Sequence, residues 1–395
     1  MFKPIRLLPA KTNFDFLGKR LPALVLSTLI NIASIVLVFT VGLNFGIDFQ
    51  GGIAIEARTL TGEAADLAET RRIGAGLGLG EVSLQEFGAK DTILIRVQRQ
   101  KGDAACVANA GKLLAKAMGA GWSVRPAANA QSGNLELTAP GRIDDAQAKA
   151  AAAAMGLPDN LVRPGNASTS IAMELDQRDE WCQQVAILVA KDALGGTYDF
   201  RRTESVGPKI GSELLQTGII SLGLTLLAIA AYVWIRFEWQ FGVGALIALL
   251  HDVLTTVGLF AITQLEFNLT ALAALLTIAG YSINDTVVVF DRVRENLRRY
   301  KRLSLIELLN VSTNETLART LMTSGTVFLA VVALVLFAGP VLYSFSIAML
   351  WGVIVGTYSS IWIANGALVY MNFRPDRAQR DEDETGKVVD VEARP

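Results

Sequence analysis

Asn268-Leu-Thr-Ala-Leu-Ala-Ala-Leu-Leu-Thr-Ile-Ala-Gly-Tyr-Ser-Ile-Asn-Asp-Thr-Val-Val-Val-Phe290 is a long, mostly apolar run with a single charged member, Asp285. About 20 helical residues cross the ~30 Å hydrocarbon core of a bilayer, so this run has the dimensions of a membrane span. It lacks the alternation of a barrel strand, and a helix satisfies its own backbone where lipid cannot. Five further segments read the same way: 21–43, 214–234, 241–262, 320–339 and 345–371. Together they predict a six-span α-helical membrane bundle. The first could pass for a signal peptide, but its apolar run is too long and no A-x-A-like site follows, so a retained anchor is expected.

The bulk composition agrees. Of 395 residues, 51% are hydrophobic and only 18% charged, with a mean hydropathy of +0.39. That balance excludes global disorder, and two cysteines exclude a disulfide-dense scaffold. A net charge of -1 gives no basis for a nucleic-acid partner. One histidine, His251, and two cysteines leave no set for a metal centre. No nucleophile–base pair stands out, so neither an enzyme nor a cofactor is expected.

Basic residues predict the orientation. Lys3, Arg6, Lys11, Lys19 and Arg20 precede the first span, and Arg292, Arg294, Arg298, Arg299, Lys301 and Arg302 fall in a connection read as a loop, 291–319. The connections 263–267 and 340–344 hold no Lys or Arg. By the positive-inside rule both termini, 1–20 and 372–395, face the cytoplasm, and the polar tail 372–395 is expected to be disordered. The expected setting is a membrane crossed several times, with the large soluble domain on the outer side.

That domain is residues 44–211, read as α+β. Strands are expected at 53–58 and 92–98 and helices at 64–77 and 104–117. The pattern then repeats: Leu135-Glu-Leu-Thr-Ala139, a helix ending at Gly156, Ile171-Ala-Met-Glu-Leu175 and Arg178-Asp-Glu-Trp-Cys182 follow the first copy at a near-constant offset. Gly78 and Gly156 are separated by the same interval as Ile93 and Ile171, and Cys106 and Cys182 by nearly the same one. Two tandem ferredoxin-like β-α-β-β-α-β units, 53–127 and 134–206, are therefore predicted. Chance likeness of two Ala-rich stretches is the alternative. An oxidising exterior permits a Cys106–Cys182 bridge, yet sequence cannot bring the two Cα atoms within the ~7 Å a bridge needs, and two buried free thiols are expected.

Inside the spans the titratable residues are His251, Asp252 and Asp285. An ionised Asp at mid-membrane costs roughly 2.5–3.5 kcal/mol on insertion scales, so such residues face a bundle interior and are proton-relay candidates. Tyr281 and Ser282 share the helical face of Asp285, with Asn284 beside it. Arg319, Thr323 and Thr326 form a second polar stripe at the start of span five. An Asp285–Arg319 pair that forms and separates would couple proton passage to movement; a static interhelical bond that fixes packing is the alternative. Asp252, with Thr255 and Thr256 at helical spacing, serves equally as a second proton site or a packing contact to span four. Consecutive residues point about 100° apart, so His251 and Asp252 are not expected to share a face, and His251 reads as a satisfied buried ring. Gly352-x-x-x-Gly356-x-x-x-Ser360 reads as a packing seam against an unidentified neighbour.

Four motifs stand out together: Gly46-Ile-Asp-Phe-Gln-Gly-Gly52, Val206-Gly-Pro208 with Gly211, Gly280-Tyr-Ser-Ile-Asn-Asp-Thr286 running on to Asn296, and Arg319-Thr-Leu-Met-Thr-Ser-Gly-Thr326. In order and spacing they resemble the SecF family, the smaller membrane subunit of the bacterial SecD–SecF protein-export complex, which implies a bacterial inner membrane with the large domain in the periplasm. Gly46, Asp48, Gly51, Gly52, Gly207 and Pro208 are thereby family-motif positions. The resemblance implies a non-enzymatic accessory translocase, related to resistance-nodulation-division transporters. Its partners would be a SecD-like subunit, the SecYEG channel, the SecA motor, the translocating preprotein and the lipid bilayer. It also implies that proton flow drives movements of the outer domains, with Asp285 matching the proton-carrying Asp and Arg319 the Arg that opens span five. The outer stretch is longer than the family's single compact domain, with the excess inserted between the 92–98 strand and the last helix. A half-sized small-molecule transporter and a passive assembly scaffold are the alternatives.

Overall fold

The computed structural model describes residues 12–80, 82–98, 104–127 and 133–371. Lys3, Arg6, Lys11 and the tail 372–395 lie outside the described residues. In chain order the elements are α1 (Arg20–Thr40), α2 (Ile47–Gln50), β1 (Gly52–Thr59), α3 (Leu67–Gly76), β2 (Val82–Phe87), β3 (Ala89–Gln98), α4 (Ala104–Met118), β4 (Ser123–Pro126) and β5 (Leu135–Thr138). There follow α5 (Asp145–Ala154), β6 (Ser168–Ile171), α6 (Leu175–Leu194), β7 (Tyr198–Val206), α7 (Pro208–Arg236), α8 (Trp239–Thr263), α9 (Leu269–Arg299), α10 (Leu305–Phe337), α11 (Tyr343–Ser359), a π-helical turn (Ser360–Ala364) and α12 (Asn365–Tyr370). The chain divides into a membrane unit, 1–44 with 218–395, and an α+β unit, 45–217.

In the α+β unit, β1, β2, β3 and β7 form an antiparallel sheet in the order β2-β3-β1-β7. With α3 after β1 and α6 before β7, this is one ferredoxin-like β-α-β-β-α-β unit. Between β3 and α6 is inserted a smaller unit, α4-β4-β5-α5-β6, whose sheet runs β4-β5-β6. The tandem prediction is corrected here. β7, from the second predicted copy, pairs with β1 of the first, while β4, from the first, pairs with β5 of the second. Most element types repeat at the offset, but β2 has no counterpart strand in the second copy, where only an isolated Ile143–Gly165 bridge forms, and each copy's last strand is exchanged. Side-chain patterning fixes which face of a strand is buried and leaves open which edge it joins.

The exchange sets the cores. Ile53, Ile55, Ile93, Ile95 and Val97 pack with Ala186, Ala190 and Leu194 of α6. Leu135, Leu137 and Ile171 pack with Leu114 of α4 and with Trp122, Trp181 and Met155. α4 and α6, the equivalent helices of the two predicted copies, lie together, and Cys106 and Cys182 form a disulfide with Cα atoms 5.7 Å apart. The free-thiol expectation is thus overturned: α4 and α6 pack together so that the start of α4 lies beside a point two turns into α6. Local signals mark the helix starts: Asp66 accepts from the Ala68 and Glu69 amides, and Asp144 with Gln147 forms a capping box. The expected strand at 171–175 instead ends at Ile171, because Glu174 and Gln177 form the capping box of α6.

On β3, Asp91 accepts from Arg58 Nε at 2.6 Å, and that guanidinium holds the carboxyl below its ordinary range. A depressed carboxyl contributes stability above its unfolded pKa and loses it as pH falls through the folded one. Arg58→Met is therefore expected to flatten the loss of stability as pH falls below the ordinary aspartate value of about 4, measured by urea titration of the detergent-solubilised chain.

In the membrane unit, six helices among the described residues are long and apolar enough to cross a bilayer: Leu17–Thr40, Ile210–Arg236, Trp239–Thr263, Leu269–Arg299, Leu305–Phe337 and Tyr343–Tyr370. α8, α9 and α11 make the centre, with Phe241 and Phe290 fully buried and their rings 4.8 Å apart. α1, α7 and α10 present apolar faces outward through Phe39, Ile235 and Phe337. The basic connection read as a loop is largely helical. α9 continues to Arg299, and Ser304 and Glu307 cap α10 from Leu305. The Gly352/Gly356 seam faces α9: a Cβ at Gly352 would lie 2.3 Å from Ile278 Cγ1, and one at Gly356 would lie 3.3 Å from Ser282 Cβ.

Candidate functional site

Two carboxyl groups lie buried among α8, α9, α10 and α11. Asp252 is 0% exposed and Asp285 6%. Thr320 of α10 donates to Asp285 Oδ1 at 2.6 Å, and Ser360 donates to Asp285 Oδ2 at 2.6 Å. Ser282 of α9 donates to Asp252 Oδ2 at 2.5 Å, and Ser359 donates to the same oxygen at 2.8 Å. His251 Nδ1 lies 2.9 Å from Asp252 Oδ1. The expectation that His251 and Asp252 diverge is corrected: consecutive residues start about 100° apart, yet the imidazole and the carboxyl are long enough to meet.

Other predicted residues take different places. Arg319 is exposed, and among the described residues no ion pair joins it to Asp285; the next residue, Thr320, occupies that position. The expected Asp285–Arg319 contact is therefore not formed, because the α10 face turned inward carries Thr313, Thr316, Thr320 and Ser324, one residue on from the predicted stripe. Thr323 Oγ1 donates to the Arg319 and Thr320 carbonyls and Thr326 Oγ1 to the Thr323 carbonyl, so both bond their own helix. Tyr281 donates to Ser324 Oγ at 3.0 Å, Ser282 serves Asp252 rather than Asp285, and Asn284 is exposed. Thr255 and Thr256 donate back to the Asp252 carbonyl.

Sequence reading misses Thr320, Ser324, Ser359 and Ser360 as site residues. Their hydroxyls are uncharged and common in spans; the available signal is the Gly-x-x-x-Gly-x-x-x-Ser seam, which ends on Ser360. At this point the last span widens into the π turn, a feature frequent at functional sites. Asn365 donates to the Ser360 and Ile361 carbonyls at 3.3 and 3.1 Å and to Thr313 Oγ1 at 3.3 Å, which ties the turn to α10.

The glycine motifs shape a backbone junction in the α+β unit. Gly46 caps α2, with Asp48 in its first turn. Gly51 and Gly52 both take positive φ, a conformation that L side chains rarely adopt. Gly52 then pairs with Val206, immediately before Gly207 and Pro208, where α7 begins. A Cβ at Gly211 would lie 2.9 Å from the Phe49 carbonyl oxygen and 3.1 Å from the Gly51 nitrogen. Those are backbone atoms that cannot rotate aside. Gly211→Ala is expected to destabilise the α+β unit by about 1–3 kcal/mol, read as an earlier unfolding midpoint in urea.

Six apolar helices around buried carboxyls, with a separate α+β unit, define a multi-pass membrane protein. Residues 188–374 match the C-terminal domain of protein export membrane proteins SecD/SecF, and residues 36–59 match the SecD/SecF GG motif. The protein translocase subunit SecF of Rickettsia rickettsii is 36% identical over 361 residues, 91% of this chain and 92% of that one. That of Rhodobacter capsulatus is 36% identical over 383 residues, covering 95% and 94%. The crystal structure of SecDF, a translocon-associated membrane protein from Thermus thermophilus, superposes with a TM-score of 0.63 at 27% identity. It covers 94% of this chain, which spans 40% of that longer one. The chain belongs to the SecF family of protein translocase subunits, and with its six apolar helices it is a multi-pass inner-membrane protein.

Proposed function

We propose that this chain works with a SecD-like subunit beside the SecYEG channel and the SecA motor, using the proton motive force to assist preprotein export. The observation that carries the reading is Asp285. It is buried among apolar helices, each oxygen accepts from a neutral hydroxyl, and among the described residues it forms no ion pair. A carboxyl so placed gains little from being permanently ionised, and hydroxyls can donate to a carboxylate or accept from a carboxylic acid. Loading and release of a proton is the chemistry this environment allows. The proposed orientation puts both termini in the cytoplasm and the α+β unit in the periplasm. It is supported by the arginines at the α9 end and by a disulfide suited to an oxidising compartment.

A passive scaffold is the second reading, favoured by the completeness of the hydrogen bonding around both aspartates. Inverted membrane vesicles from a deletion strain, with and without the chain restored, test the proposal. Restoration is expected to return export that collapses with an uncoupler, and a SecD-like subunit is expected to co-purify after mild detergent extraction. Uncoupler-insensitive export contradicts proton drive. Drug hypersensitivity of the deletion strain without a secretion defect would favour a half-transporter.

A further inference from the structure

Ser359 and Ser360 are adjacent in sequence, fully buried, and each holds a different aspartate. Each hydroxyl has one proton and a second acceptor within reach. Ser360 Oγ lies 2.6 Å from Asp285 Oδ2 and 3.0 Å from the Thr357 carbonyl oxygen. Ser359 Oγ lies 2.8 Å from Asp252 Oδ2 and 3.1 Å from the Gly356 carbonyl oxygen. We propose that this serine pair, at the start of the π turn, is the positioning switch that couples Asp285 to Asp252 and passes the protonation state of either to the last span. The proposal rests on the reading of Asp285 as a proton carrier.

When Asp285 is ionised, Ser360 donates to Oδ2. When a proton arrives on Oδ2, that O–H donates to Ser360 Oγ, and the serine turns its own hydrogen to the Thr357 carbonyl. One proton enters and forms the carboxyl O–H bond, the carboxylate charge is neutralised, and every other change is an exchange of hydrogen bonds. Ser359 answers Asp252 in the same way toward Gly356. Ser359 caps the π turn and Ser360 opens it, so a shift of that short backbone stretch reaches both hydroxyls, and Ser282, three residues before Asp285 on α9, ties Asp252 to the same helix. Asn365 steadies the widened turn from below. The other titratable or charged groups nearby are His251 on Asp252, Tyr281 bonded to Ser324, Tyr358 with its ring centroid 6.1 Å from that of His251, and exposed Arg319 beside Thr320.

The pH profile of proton-driven export, measured in vesicles holding the full complex, tests the switch. Ser360→Ala removes one donor from the ionised carboxylate. It is expected to move the profile midpoint to higher pH by about one pH unit, tenfold in proton affinity. Ser360→Thr keeps the hydroxyl and is expected to restore the midpoint. Ser359→Ala touches Asp252 alone and is still expected to shift the profile by about half a pH unit or more. Unmoved midpoints in Ser360→Ala and Ser359→Ala, or a lower assembly yield with the midpoint unchanged, overturn the proposal. If Ser360→Ala does not assemble, Ser359→Ala decides. Full export by Asp285→Asn removes the proton-carrier reading itself, whereas an inactive Asp285→Asn with unmoved serine profiles removes only the switch.

Discussion

Asp285→Asn is expected to abolish the stimulation of export by the proton motive force while leaving the chain assembled in the membrane. The amide has nearly the shape of the acid. Its oxygen can accept from Thr320 Oγ1, and its NH2 can donate to Ser360 Oγ, which turns to the Thr357 carbonyl. The variant therefore reproduces the protonated carboxyl and fixes the site in that state. Each proton driven by the membrane potential carries about 2.3 kcal/mol per 100 mV, and that coupling is lost when no proton can leave. Asp285→Leu differs: it leaves the buried Thr320 hydroxyl without its carboxyl acceptor and Ser360 with the Thr357 carbonyl alone, and is expected to lower assembly as well. Export assays with and without uncoupler, beside quantification of the assembled complex, separate the two. Full uncoupler-sensitive export by Asp285→Asn would favour the scaffold reading.

Removal of the disulfide is expected to have the largest effect on stability. The bridge joins two cysteines far apart in the chain, at a sequence separation of 76. The chain-entropy account gives about 4 kcal/mol for closing a loop of that size. The bond joins α4, which packs on the small sheet, to α6, which packs on the ferredoxin-like sheet. Trp122 and Trp181 belong to the same core as Cys106 and Cys182, so their fluorescence reports its loss. In urea, Cys106→Ser/Cys182→Ser is expected to unfold the α+β unit at a markedly lower midpoint, and reductant is expected to do the same to the wild-type chain. A loss below about 1 kcal/mol would mean that the inserted unit is held by packing alone.

The membrane helices are legible because length and apolarity suffice to mark them, and Asp285 and Asp252 stand out as charges in hydrocarbon. Their partners do not. Helical spacing places Tyr281 and Ser282 on the face of Asp285, yet Ser282 serves Asp252 and Tyr281 serves Ser324, because interhelical geometry decides which neighbour a face meets. Arg319 draws attention by its charge, while the contact falls to Thr320, about 100° further round the same helix. In the α+β unit most of the repeat of element types is readable from Gly78 and Gly156, but the loss of a β2 counterpart and the exchange of β4 and β7 are not. Pairing of strand edges depends on contacts distant in the chain, which no local pattern encodes. The cysteine bond is hidden from the sequence for the same reason.

The most direct measurement is infrared difference spectroscopy of the carboxyl C=O stretch in the assembled, energised complex. A protonated-carboxyl band that rises and falls with the imposed proton gradient, and is missing in Asp285→Asn, is the expected result. A band that stays constant throughout translocation would contradict proton exchange at Asp285.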